Sequence, residues 1–125
     1  MDTPETDFTA LLQANLQRVF SERDAGKRAA AIRELYASDA ILYEPESTVT
    51  GHAGISRVVD GLLQSLPADF TFTACGPAVG HHGLACLRWR AGPLDGPVAI
   101  TGMDVVHVAH GVIQSLHVFL DPHGA

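Results

Sequence analysis

Apolar residues fall at Phe8, Leu11, Leu12, Leu16, Val19 and Phe20, which puts one broad apolar face on a helix running from Phe8 to Arg23. Thr6 or Asp7 is placed to cap its start. Asp24-Ala25-Gly26 ends it, with Gly26 suited to the left-handed position after a helix. A shorter helical pattern from about Lys27 to Tyr36 buries Ile32, Leu35 and Tyr36 and is broken by Ser38-Asp39. Ala40 to Glu44 reads as a strand and Glu46 to Gly51 as a polar loop. A third helix from His52 to Leu66 shows Ile55, Val58, Val59, Leu62, Leu63 and Leu66 before Pro67 stops it.

Beyond Pro67 the period changes from helical to two. Phe70, Phe72 and Ala74 alternate with threonines, and Leu87 and Trp89 alternate with Cys86, Arg88 and Arg90. Turns are expected at Gly80–Gly83, Gly92–Pro97 and Ala109–Val112, leaving two long strands, Val98 to Val108 and Val112 to Asp121. Helices first and a strand meander after them make an α+β domain spanning residues 1–125. A strongly twisted antiparallel sheet with three helices on one face curls around them into a cone that can enclose an apolar pocket.

Composition narrows the choice of partners. Eight Lys plus Arg stand against fourteen Asp plus Glu, a net charge of −6, with no basic patch, so nucleic acid is not an expected ligand. No apolar run is long enough to span a bilayer, and the acidic start MDTPETDF lacks a signal-peptide pattern, so the expected location is the cytoplasm. Cys75 and Cys86 have no metal-ligand spacing; they are either diagonal neighbours in a hairpin or, the better reading, buried free thiols. The seven histidines are scattered without a two-ligand spacing to a nearby acid, so no metal is expected.

The segments LYASDAILYEP, GHAGISRVVDGLLQSLP and ITGMDVVHVAHGVIQSLHVFLD carry a resemblance. Together they resemble the nuclear transport factor 2-like superfamily, and within it the SnoaL-like polyketide cyclases and ketosteroid isomerases, over nearly the whole chain. The resemblance implies a cystatin-like α+β roll, a homodimer through the outer face of the sheet, no cofactor, and a small apolar ligand bearing a carbonyl or hydroxyl. Ketosteroid isomerases carry their general base at the end of the short strand, just before a proline, where this chain has Glu44-Pro45. Their protonated acid, which donates to the developing oxyanion, lies early in the penultimate strand, where Asp104 stands. Their tyrosine near the end of the first helix is replaced by Val19, leaving Asn15 or Tyr43 as a candidate polar contact.

Proton removal next to a carbonyl needs an ionised base and a donor that stabilises the enolate; Glu44 and Asp104 divide those roles in this reading. The plainer readings are a solvent-facing strand end for Glu44 and a salt bridge from Asp104 to Arg88 or Arg90. Phe20, Leu63, Val106, Leu116 and Val118 are the expected pocket wall, whereas Trp89, Phe70 and Phe72 read as core or dimer contacts. Two registers are open for the last hairpin. A three-residue Ala109-His110-Gly111 loop puts Leu116 opposite Asp104; a two-residue His110-Gly111 turn puts His117 there and makes an Asp–His pair. The first is preferred because it gives the pocket an apolar wall. Asp104, His117 and Asn15 are the candidates for holding a water if the chemistry is hydrolytic or dehydrating, and a non-catalytic binding module is the remaining alternative.

Overall fold

The computed structural model describes residues 6–122; the acidic N-terminal residues and His123 lie outside them. The first helix, α1 (Phe8–Asn15), is capped by Asp7, whose carboxylate accepts the Ala10 N–H at 3.0 Å. It continues as a π-helical turn, Leu16–Phe20, and stops there rather than at Arg23. The wider turn presents Leu16 and Phe20 to the interior together. Ser21 follows, and its Oγ accepts the Phe72 N–H at 2.9 Å, fixing the end of the helix to the sheet.

Asp24 does not terminate a helix with Gly26 behind it. It caps the next one, α2 (Ala25–Leu35), by accepting the Lys27 N–H at 3.0 Å, and Gly26 sits in the first turn with ordinary helical backbone. Arg28 is buried on α2; it donates to the Glu22 carbonyl and to Asp60 on α3 (Gly51–Ser65), tying the two helices together. Arg23 clips the end of α3 by donating to the carbonyls of Leu63 and Pro67 at 2.9 and 2.7 Å.

The strands are β1 (Tyr36–Glu44), β2 (Ser47–Thr50), β3 (Phe70–Ala74), β4 (Val79–His81), β5 (Leu84–Pro93), β6 (Ile100–Ala109) and β7 (Val112–Leu120). They form one seven-stranded sheet in the order β2-β1-β7-β6-β5-β3, with β4 sharing the same edge of β5 as β3. One pairing departs from the antiparallel expectation: β1 runs parallel to β7, so the curved sheet is mixed. Ser38-Asp39 does not break the chain either. It lies in an irregular stretch between the Tyr36↔Ile113 and Ile41↔Ser115 pairs, a bulge that bends β1 around the helices. The expected polar loop after Glu44 contains β2, joined to β1 by a tight Pro45-Glu46 turn.

Both expected registers of the β6–β7 hairpin are replaced by a third. His110 and Gly111 form a two-residue turn with φ of 56° and 80°, but a bulge at Gln114 then moves β7 by one residue, so that Asp104 faces Val118. Turn and bulge together restore the parity of the preferred register. Val106, Leu116 and Val118 therefore share the concave face with Asp104, while His117, paired with Val105, points to the convex one.

The helices cover the concave face. Leu12, Leu16, Val19, Ile32, Ile55, Val59 and Leu63 pack against Leu42, Leu87, Val106, Ile113 and Leu116 in one core. Neither cysteine is buried: Cys75 is exposed and Cys86 half-buried, and both are free. The reason is position, since Cys86 points to the convex face and Cys75 lies just past the end of β3. Among the described residues no helix is long and apolar enough to cross a membrane.

Candidate active site

A cavity of about 120 Å³ opens at one end of the cone. Leu16 and Phe20 from the first helix, and Leu62 and Leu66 from α3, form its helical side; Phe72, Trp89, Ile100, Val118 and Leu120 form its sheet side. Two acids enter this carbon wall, Glu44 with Pro45 beside it, and Asp104. A larger, shallow groove between α2 and α3 is lined by Arg28, Arg33, His52, Arg57 and Asp60 and holds no such acid pair.

Asp104 is 3% exposed. The Trp89 indole Nε1–H donates to its Oδ1 at 2.9 Å, while neither Arg88 nor Arg90 reaches it. Arg88 lies on the other face and pairs with Asp121 at 3.6 Å. Burial pushes the Asp104 carboxyl from 3.8 up to about 7, partly offset by the indole hydrogen bond. The indole reaches Asp104 because Trp89 sits directly opposite Gly102, which leaves room for the ring to lie across the strand. A Cβ at Gly102 would stand 2.5 Å from Trp89 Cζ2 and against the Phe119 carbonyl oxygen. Gly102→Ala is therefore expected to cost about 1–3 kcal/mol in a urea melt. A shifted tryptophan emission should accompany it, since Trp89 is the chain's single tryptophan.

Glu44 is half-buried at the turn into β2, and Ser47 Oγ lies 3.4 Å from its Oε1. Burial raises its carboxyl above the ordinary glutamate value, with Ser47 opposing. The strand end before Pro45 is thus a carboxylate in the cavity wall and not a residue facing bulk water alone.

Several residues expected around a ligand lie elsewhere. Val19, Leu63, Val106 and Leu116 are buried in the core behind the cavity and do not line it, because the helices pack down onto them. Asn15 is also behind the wall: its Oδ1 accepts the buried Tyr36 hydroxyl at 2.5 Å, and its Nδ2 has no hydrogen-bond partner. Tyr43 and His117 stack on the convex face with ring centroids 4.3 Å apart, which separates His117 from Asp104 and removes the Asp–His pair. Phe20 and Val118 do line the cavity.

Trp89 and Phe72, expected to be core or dimer contacts, are core residues and also line the cavity. Tyr36, expected only as a core residue, has a polar role. Burial, and then the charge of Asp104, hold the Tyr36 phenol well above its ordinary value. The available signal was a tyrosine on the buried side of the helix-to-strand junction, where a buried hydroxyl needs a partner.

A curved mixed sheet wrapped over three helices, with its cavity at the open end, is the architecture of the nuclear transport factor 2-like superfamily. The chain belongs to the SnoaL-like domain family, whose sequence profile matches residues 16–116. It is similar to the crystal structure of a proposed isomerase of the SnoaL-like family from Agrobacterium tumefaciens, with 25% identity, a TM-score of 0.85, and 93% of this chain and 98% of that one covered. A proposed ketosteroid isomerase from Kribbella flavida matches at 19% identity and a TM-score of 0.70, covering 95% and 81%. A proposed polyketide cyclase from Sinorhizobium meliloti matches at 14% identity and a TM-score of 0.68, covering 87% and 93%. The last two likenesses are of fold. By sequence, no curated protein matches.

Proposed function

We propose that this chain is a cofactor-free isomerase or cyclase that moves a proton next to a carbonyl. The observation that carries the reading is that Glu44 and Asp104 line one otherwise apolar cavity. Glu44 is the base, placed at the rim where it stays partly hydrated. Asp104, held neutral by burial below about pH 7, donates to the carbonyl oxygen as it gains charge. Ketosteroid isomerase keeps an aspartic acid protonated in an apolar site for the same purpose and is the precedent for this division of labour. A hydrolytic reading loses its proposed water site, because His117 and Asp104 occupy opposite faces of the sheet.

The direct test is exchange of α-protons in D2O, followed by proton NMR, with a panel of one-ring and two-ring ketones. Catalysed exchange supports the reading, and exchange at the buffer rate with every ketone removes it. The reading includes a homodimer through the convex face, supported by Phe119, 52% exposed, beside the Tyr43–His117 stack. Phe119→Asp is expected to shift sedimentation from dimer to monomer; an unchanged sedimentation coefficient for both proteins removes this part.

A further inference from the structure

The inner end of the cavity is closed by three aromatic rings in series. Phe20 meets Phe72 edge to face with centroids 6.1 Å apart, and Phe72 meets Trp89 in the same manner at 5.3 Å. All three are buried. Phe72 is pinned through its N–H to Ser21, Trp89 is held by its hydrogen bond to Asp104, and Phe20 is buried in the π-helical turn. The volume of the cavity is about 120 Å³. An engineered apolar cavity of roughly 150 Å³ accepts one benzene, so a space of this size has room for no more than about one six-membered ring.

Resting on the acid–base reading above, we infer that the substrate is monocyclic, a six-membered cyclic ketone or enone, and that Phe72 is the residue that sets this limit. The ring fills the space in front of Phe72 with its oxygen toward Asp104. Its acidic C–H then faces Glu44 at the mouth. A second fused ring has two places to go: into Phe72, or out between Glu44 and Leu120. In the second case it separates the base from the reacting carbon.

Phenols test this, being flat mimics of the enol. Apolar area alone ranks 2-naphthol above phenol, because each added ring buries more carbon. Isothermal titration of the wild-type chain is expected to show the reverse, with phenol bound at least ten-fold more tightly than 2-naphthol. Phe72→Leu is expected to open the end wall and bring 2-naphthol to at least equal affinity, and Phe20→Leu repeats the test from the other side of the ring contact. If neither variant folds, the wild-type order decides alone. Naphthol binding as tight as phenol, in a wild-type chain that still exchanges ketone α-protons, overturns the size limit and leaves the acid–base reading standing. Phenol-sized ligands and ketones both failing overturns the two together.

Discussion

Glu44→Gln is expected to slow ketone α-proton exchange by about 10²–10⁴-fold, the usual contribution of a positioned general base. Phenol affinity should stay within a few-fold, because the substitution keeps the length and shape of the side chain and touches only the mouth of the cavity. Stability should change little, since the partly hydrated carboxylate has only the Ser47 hydroxyl as a partner. The rate should also depend on pH in a particular way. Glu44 must lose its proton to act, and its carboxyl titrates above the ordinary glutamate value, which sets the rising limb. Asp104 must keep its proton, which sets a falling limb near pH 7. A pH–rate profile without a falling limb near 7, or a Gln variant as fast as wild type, contradicts these roles.

Asp104 is expected to give the second large effect, with opposite signs for activity and stability. Asp104→Leu removes the oxyanion donor and should cost about 10²–10³-fold in exchange rate. Asp104→Asn keeps a donor that does not titrate, so it should retain part of the rate and abolish the falling limb. For stability, the folded state holds the Asp104 proton more tightly than the unfolded state, with a pKa of about 7 against 3.8. Stability is therefore lost as pH rises from about 4 toward 7, and the full cost of about 4 kcal/mol applies above 7. Asn bears no such cost and still accepts the Trp89 indole hydrogen bond. Wild type and Asp104→Asn should melt together near pH 4 and separate by roughly 10–20 °C at pH 8, with the variant higher. A gap independent of pH would mean that Asp104 is ionised throughout.

Periodicity made the helical face from Leu11 to Phe20, the α3 face and the alternation of β3 and β5 legible in the sequence, because each is a local pattern that one core can satisfy. The parallel partner of β1 was not legible, since it comes from β7 near the other end of the described chain and no local signal encodes it. The β6–β7 register shows the same limit at closer range. The two-residue His110-Gly111 turn was the less favoured of two readings, and the bulge at Gln114 is an extra residue that no local signal marks. Glu44 and Asp104 stood out as acids in apolar strands beside a resemblance. The cavity wall did not, because Val19, Leu63, Val106 and Leu116 are apolar and inward-facing just as Phe72 and Trp89 are. Which inward residues meet a void depends on how far the helices descend, a property of packing and not of pattern.

The placement of β7 between β1 and β6 has a consequence for how the chain reaches this state. The strand that completes the middle of the sheet is the last of the seven to be synthesised. Until it arrives, the β1–β2 hairpin has no partner on its other edge, and the apolar side of β6 has nothing to continue it. Closing β1 onto β7 joins distant segments of the described chain, a costly loop to form early, so assembly is governed by non-local pairing and is slow for a domain of this size. During translation, the helices and the first hairpin emerge with their apolar faces and strand edges uncovered. The same topology that brings Glu44 and Asp104 into one cavity wall leaves the nascent chain exposed to misassembly until its final strand is in place.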